Sequence, residues 1–174
     1  MHRATSITII CVFALLAPAA PVLAQAAPAA DRDRGEEPTL RFLASGEWHY
    51  GVPLRNAAGA SLFVATGRGR CEDGICVWPG MRATAHVGAG GWRLGAGPSW
   101  GPLFGAEVLV TATRTWSAPR GASADSTYLG VEGGYQFLFV RPAVGVARRV
   151  DGPSGPRRTV VTWSITLRVP LFPL

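Results

Sequence analysis

The chain has 174 residues, enough for one domain with a sizeable core. Its 48% hydrophobic and 16% charged residues exclude an intrinsically disordered chain, and beyond the N-terminus no run of 18 apolar residues offers a membrane-spanning helix. The net charge of +6 comes from 17 arginines and no lysine, which GC-rich coding explains better than nucleic-acid binding, because no face alternates Arg with aromatic residues.

The first 24 residues have the three-part layout of a secretory signal peptide. A positive start ending at Arg3 is followed by an apolar run at residues 7–16 and by small residues that end in V-L-A at Ala24. We expect cleavage after Ala24, with Ala26 as the alternative, because the apolar run is too short for a membrane anchor. The chain is therefore predicted to be exported, with residues 25–39 as a flexible, Ala/Pro-rich and then charged lead-in.

From residue 40 onward, apolar and polar residues alternate with a period of two, which is the pattern of β-strands with two unlike faces. Eight such segments are predicted, at residues 40–50, 58–65, 82–89, 92–100, 106–116, 128–137, 140–149 and 159–169. Gly90-Gly91 predicts a tight hairpin between the third and fourth segments, and a change of parity at residues 138–139 predicts a turn after the sixth.

Two cysteines lie between the second and third segments, in the stretch R-C-E-D-G-I-C. Removal of the signal peptide would remove Cys11 and leave Cys71 and Cys76 in an oxidising compartment, where we expect them to form a disulfide. A metal site is not predicted here because further ligands are missing nearby. So short a ring is expected to add little to the global stability.

The two faces of the segments differ in a way that is unusual for a soluble protein. The apolar faces are long and are interrupted by charge only at Arg114 and Arg148, both near segment ends. The opposite faces carry Gly, Ser, Thr, Arg, Glu and His, which suits the crowded interior of a closed eight-stranded barrel. Segments of about 9–11 residues match the length of membrane-spanning strands, which must close into a barrel in lipid. The predicted fold is an all-β, antiparallel, up-and-down eight-stranded transmembrane β-barrel over residues 40–174.

This pattern resembles the small bacterial outer-membrane barrels of the OmpA and OmpX type, in architecture over residues 40–174 and without a family-specific motif. The resemblance implies an outer-membrane protein of a Gram-negative bacterium. It also implies contact with outer-membrane lipids, with lipopolysaccharide as a candidate, insertion by the barrel assembly machinery, and a monomer. Such barrels usually end in a strand whose last residue is aromatic. Here the chain ends in V-P-L-F-P-L, and we expect the strand to end at Val169, with Phe172 displaced and both prolines after the strand.

With the polar faces inward, the lumen is predicted to hold a network of charged side chains and histidines. Its members are Arg41, Glu47, His49, Arg82, His86, Arg93, Glu107, Glu132, Arg141 and Arg168. Charges this close must pair or hold water, so we expect a structural core that plugs the barrel. The arginine excess leaves a narrow anion-preferring pore as an alternative. Aromatic residues near segment ends are expected to form interfacial girdles: Trp48, Tyr50, Trp92, Trp100, Trp116 and Tyr135.

No catalytic residue, cofactor-binding residue or metal ligand is predicted. His49 and Glu47, two apart on one face, come closest to a catalytic pair, but no motif ties a serine to them, so an enzyme is not expected. The remaining alternative is an exported soluble β-barrel that binds a small hydrophobic ligand, as lipocalins do. The apolar face of residues 161–167 separates the two: it is core in the soluble fold and faces lipid in the membrane barrel.

The connections give an expected orientation. With a periplasmic N-terminus, four connections face outside, at residues 51–57, 90–91, 117–126 and 151–158. Their Arg120, Arg157 and Arg158 are candidate contacts for lipopolysaccharide phosphates, although plain solvated loops are the favoured interpretation. The cysteine loop, residues 67–80, falls on the periplasmic side, where turns are normally short. Either this loop is unusual, or the strand count is off by one before it, and ten strands stays open as the alternative to eight.

Overall fold

The structure, a computed structural model, describes residues 41–65, 70–72, 75–116, 119–153 and 158–173. All of them belong to the unit Pro38–Leu174. The predicted signal peptide, the lead-in and Arg157 lie outside the described residues. The side chains of Arg41, Cys71 and Cys76 are also outside the description.

The described residues form ten strands. In chain order these are β1 (Arg41–Gly51), β2 (Arg55–Ala65), β3 (Arg70–Glu72), β4 (Ile75–Val77), β5 (Pro79–Gly88), β6 (Gly91–Trp100), β7 (Phe104–Thr115), β8 (Thr127–Phe137), β9 (Val140–Asp151) and β10 (Thr159–Pro173). Over these ranges no helix has the length and apolar character needed to cross a membrane.

Eight of the strands close into a barrel in the order β1-β10-β9-β8-β7-β6-β5-β2. Each pairs antiparallel with its neighbours, and β1 pairs with both β2 and β10, which closes the sheet. The predicted eight-stranded, antiparallel, up-and-down barrel is therefore confirmed. The two-residue period explains the burial pattern, because successive side chains point alternately into and out of the barrel.

The cysteine segment is a separate element and not a part of the barrel wall. β3 and β4 form their own two-stranded sheet, in which Cys71 lies directly opposite Cys76. This sheet accounts for the long connection between β2 and β5. The barrel count of eight is unaffected, while the total of strands in the described chain is ten.

Two turns differ from the prediction: the first is shorter, and the second is shifted by one residue. The first connection is a turn at residues 52–54, and β2 already begins at Arg55. The second turn is formed by Ala89 and Gly90, while Gly91 is the first residue of β6 with φ of 154°. A Cβ at Gly91 would lie 2.0 Å from the carbonyl oxygen of Arg114, so close approach of β7 requires glycine there.

The last strand is longer than predicted. β10 continues through Pro170 to Pro173, with a register shift where it passes Ala44 and Ser45 of β1. Beyond Leu167 it no longer pairs with β9, so each proline can interrupt only the ladder with β1. The expectation that the prolines end the strand was therefore wrong, because the shift and the missing neighbour accommodate them.

The barrel end near the 52–54 turn is closed by apolar side chains. Val52, Tyr128, Ala147 and Val160 form a buried cluster, with Ala122 packed against it. Leu54 is completely buried. The sequence pattern did not predict this cluster, because it placed Tyr128 on the polar face of its strand.

The connection after β7 is fixed over this closed end. The backbone nitrogen of Arg120 donates to the Pro53 oxygen at 3.0 Å. The Ser123 nitrogen donates to the Tyr128 hydroxyl at 3.0 Å, and the Thr115 hydroxyl donates to the Ser123 oxygen at 2.6 Å. These hydrogen bonds hold residues 119–126 against the end of the barrel near the turn at residues 52–54.

Candidate functional site

The barrel interior holds nine of the ten residues predicted for the lumen, Arg41 being the one whose side chain is not described. All nine are buried, and they come from seven of the eight barrel strands: Glu47 and His49 from β1, Arg82 and His86 from β5, Arg93 from β6, Glu107 from β7, Glu132 from β8, Arg141 from β9 and Arg168 from β10. Residues far apart in sequence therefore meet across the interior.

Glu107 is the centre of the ion-pair network. Its carboxylate lies 3.0 Å from the Arg82 Nε and 3.5 Å from an Arg168 amino group, and it also contacts the Arg141 Nε. Three guanidinium groups thus surround one buried carboxylate. Charge-assisted contacts of this kind offset the cost of removing the charges from water.

The network continues in both directions from Glu107. Arg141 also binds Glu132 at 3.0 Å, and Glu132 binds Arg93 at 2.7 Å. On the other side, the Arg168 Nε lies 2.5 Å from Glu47, whose second oxygen lies 2.6 Å from the His86 Nε2. Acidic and basic groups therefore alternate along one chain, which runs His86, Glu47, Arg168, Glu107, Arg141, Glu132, Arg93.

Neutral polar side chains complete the network, and these were not predicted. Gln136 accepts from Arg168 at 2.5 Å and donates to the Leu138 carbonyl at 2.5 Å. Arg82 donates to the hydroxyls of Ser61 at 3.4 Å and Ser99 at 3.5 Å. Their positions on the inward faces of the strands were the only signal in the sequence. Many other Ser and Thr residues have such positions, so the pattern does not show which of them bind the arginines.

Small and aromatic residues shape the space around the arginines. A Cβ at Gly134 would lie 2.8–3.0 Å from the Arg141 guanidinium, so glycine leaves room for that side chain. The Arg82 guanidinium lies 5.0 Å from the centre of the Phe63 ring, a cation–π distance. Both contacts involve arginines of the ion-pair network.

The suggested catalytic pair of His49 and Glu47 is not formed. Glu47 binds His86 and Arg168, whereas the His49 Nδ1 lies 3.2 Å from the Thr166 hydroxyl. The His49 and His86 rings lie 4.9 Å apart. In the parts of the chain that the structure describes, no group of three or more His, Cys, Asp or Glu residues is placed to hold a metal ion.

The outer wall of the barrel is apolar. Large exposed side chains occupy the outward positions of every barrel strand, including Val110 at 65%, Val144 at 62% and Val161 at 68% exposure. The face of residues 161–167 is exposed, with Trp163 at 39%, Ile165 at 47% and Leu167 at 48%. These residues are thus not the core of the fold.

Charge reaches the outer wall near one end. Arg114 points outward close to the end of β7 and donates to the Thr127 hydroxyl at 3.0 Å and to Asp151 at 3.2 Å. Arg148, on β9, is exposed and lies opposite Leu129 and Thr159. The two arginines flank β8 on its two sides.

The predicted aromatic residues lie on the same wall. Trp48, Tyr50, Trp100 and Tyr135 are exposed, whereas Trp92 and Trp116 are half-buried. The Trp116 indole donates to the Ala89 oxygen at 3.0 Å.

An aromatic group on this wall also includes Trp163, which the girdle prediction omitted. The Trp163 and Tyr50 rings meet edge to face at 5.8 Å. Arg120 donates to the Tyr50 hydroxyl at 2.8 Å, and its guanidinium lies 5.8 Å from the Trp163 ring centre.

The arrangement as a whole is a barrel with an occupied, charged interior and an apolar exterior. Such a site can hold the strands in register through ion pairs that cross the interior. Comparison with protein-family models, with curated proteins and with solved structures finds no match to this chain.

Proposed function

We propose that the chain is an integral outer-membrane β-barrel protein with a structural or surface-interaction role, whose charged interior plugs the lumen. The observation that supports this proposal is that charged side chains lie inside the barrel and apolar side chains lie on its outer wall. Seven ionisable side chains of Arg and Glu are buried inside, while 26 large hydrophobic side chains of the described residues are exposed. Soluble proteins rarely expose contiguous apolar patches beyond a few hundred Å².

A bilayer is the solvent that suits this wall. Transfer of apolar surface out of water contributes roughly 25 cal/mol per Å², so lipid contact stabilises the same side chains that water would disfavour. The barrel strands of 10–15 residues are long enough to cross the apolar layer when tilted. Closure also pairs the edges of the barrel sheet, as a lipid environment demands.

The interior favours a structural role over transport. Ion pairs join side chains from seven of the eight barrel strands, and the apolar cluster around Val52 and Tyr128 lies buried near one end. Both observations weigh against the narrow anion-preferring pore. Eight-stranded barrels have an interior only wide enough for side chains to fill.

The soluble, ligand-binding alternative is disfavoured by the same interior. A small hydrophobic ligand needs an apolar cavity. Here the inward residues are charged or hydroxyl-bearing over most of the barrel length, and the apolar face of residues 161–167 lies outside. A non-enzymatic role fits the separation of His49 from Glu47.

The proposal includes partners and an orientation. The barrel assembly machinery would insert the chain, and outer-membrane lipids would surround it as a monomer, because a closed barrel sheet leaves no unpaired strand edge for association. The turns at residues 52–54 and 89–90 and the loop at residues 119–126 would face outside. There the exposed Arg120 and Arg158 could meet lipopolysaccharide phosphates.

Fractionation with gel mobility tests the proposal. The full-length chain is expressed in a Gram-negative host, outer membrane and periplasm are separated, and unboiled and boiled samples are run side by side. We expect recovery in the outer membrane and a faster unboiled band, because the closed barrel resists detergent unfolding. Recovery in the soluble periplasm would overturn the proposal and restore the soluble barrel.

A further inference from the structure

Among the side chains that the structure describes, the buried arginines and glutamates of the interior do not balance. Four arginines (Arg82, Arg93, Arg141 and Arg168) face three glutamates (Glu47, Glu107 and Glu132), an excess of one positive charge. An uncompensated charge in a closed interior is costly, so a balancing group is favoured.

The position for such a group is where the two ends of the ion-pair chain meet. The chain ends at His86 and at Arg93, and these two residues lie directly opposite each other in the β5–β6 pairing. The His49 ring is 4.9 Å from the His86 ring. The relative exposures of His49, His86 and Arg93 are 1%, 4% and 4%.

Three nitrogens at this point have no hydrogen-bond partner: the Arg93 Nε, the His49 Nε2 and the His86 Nδ1. The His86 Nε2 is bound to Glu47, so its Nδ1 points away from that carboxylate. The His49 Nδ1 meets Thr166, so its Nε2 points away from β10. A buried N–H without a partner carries nearly the full cost of its desolvation.

We propose that His49, His86 and Arg93 form a buried binding site for one small monovalent inorganic anion, of which chloride is the natural example. The Arg93 Nε–H and the His49 Nε2–H donate to the anion. The anion neutralises the excess positive charge of the described interior beside the Arg93 end of the ion-pair chain. This site does not depend on the membrane proposal, because the interior is the same whatever surrounds the wall.

The test compares anions at constant ionic strength. The purified folded protein is heated in sodium chloride or in sodium gluconate, and the unfolding midpoint is read from the gel mobility. We expect chloride to raise the midpoint in a saturable way, because an anion that binds only the folded state stabilises it. Equal unfolding midpoints in the two salts would overturn the proposal, because chloride would then not bind the folded protein.

Two variants locate the effect. His49→Phe keeps a ring but removes the donor, and it breaks no ion pair because His49 takes part in none of those in the described interior, so the chloride effect should be lost. Ser45→Ala changes another buried, unpartnered polar atom of β1 and should keep the effect. A chloride effect that survives in His49→Phe would place the anion elsewhere and refute the assignment. If that variant fails to fold, crystals of the unaltered protein grown with bromide decide, by an anomalous peak beside Arg93 or its absence.

Discussion

Gly134 shows how closely the interior is packed around one arginine. A methyl group there would lie under 3.0 Å from the Nε and an amino nitrogen of Arg141, which bridges Glu107 and Glu132. We therefore predict that Gly134→Ala lowers the free energy of unfolding by about 1–3 kcal/mol, as overpacking does.

The neighbouring glycine is a matched control for this prediction. A Cβ at Gly133 meets nothing within 4 Å, because that residue faces outward on the same strand. Gly133→Ala should change the stability by less than about 0.5 kcal/mol. Urea unfolding of the two variants side by side measures the difference, and equal changes would mean that the closeness of Arg141 to Gly134 has no effect on stability.

Glu107 is predicted to be the most sensitive carboxylate of the interior. Glu107→Gln leaves Arg82, Arg141 and Arg168 facing one charge fewer, and breaking a buried pair in this way costs about 3–5 kcal/mol. Adding Arg82→Gln should recover part of this loss, because Glu107 is the carboxylate that Arg82 binds in the described interior. Additive losses in this double-mutant cycle, read by urea unfolding, would contradict the pairing.

For single residues, the alternation of apolar and polar positions predicted which side chains face the interior. It did not predict which of them contact one another. The alternation put His49, His86 and Glu47 on one face, and all three are buried. Which acid meets which base depends on the register between strands: Glu47 on β1 and His86 on β5 both lie opposite Gly59 of β2, and no local pattern encodes this. Glu47 consequently meets His86, 39 residues away, and not His49 beside it.

The β3–β4 hairpin is not part of the barrel sheet, so its two cysteines can be tested separately from the barrel. Cys71 and Cys76 lie directly opposite in an antiparallel pair, a backbone placement that suits a cross-strand disulfide. We predict that the exported protein carries no free thiol at these positions, as thiol titration after unfolding would measure. Two free thiols in the exported chain would refute the disulfide.

Reduction of this disulfide should leave the barrel unchanged. The hairpin has its own sheet, so it can open locally without unpairing β2 from β5. The unfolding midpoint with and without reductant should therefore coincide. A lower midpoint under reduction would show that the hairpin supports the barrel wall.

The strands themselves were largely predictable, and their ends were not. Alternation over 8–11 residues identifies a strand because each position has only two faces to choose from. The positions at which strands end depend on contacts with other strands, which the alternation does not predict. Tyr128 and Val160 point inward into an apolar cluster around Val52, and β10 passes Pro170 because β9 no longer pairs with it there.

For the whole molecule, the closed sheet and the inverted polarity have a common physical origin. An eight-stranded barrel has a narrow interior, and in this chain charged side chains that bind one another occupy much of it. The apolar residues are then left for the outer wall, where the surrounding solvent decides what they contribute. A charge placed on the wall is therefore a direct probe of that solvent.

Leu167 is a suitable position for this probe. It lies midway along β10, opposite Trp48 and Val140, and is 48% exposed, so an arginine fits there without disturbing the interior. If the wall faces lipid, Leu167→Arg should lower the free energy of unfolding in phospholipid vesicles by roughly 2–4 kcal/mol. In water the same exposed substitution would cost within about 0.5 kcal/mol.

Val150→Arg is the matched control. Val150 is also exposed, but it lies next to the end of β9, beyond Arg148 and beside Asp151, where the wall already carries charge. An arginine there reaches the interface and should cost less than about 1 kcal/mol. A large loss for Leu167→Arg with a small loss for Val150→Arg would place the apolar wall in the bilayer. Equal small losses would mean that no lipid covers the wall, because depth in a membrane is what makes the two positions differ.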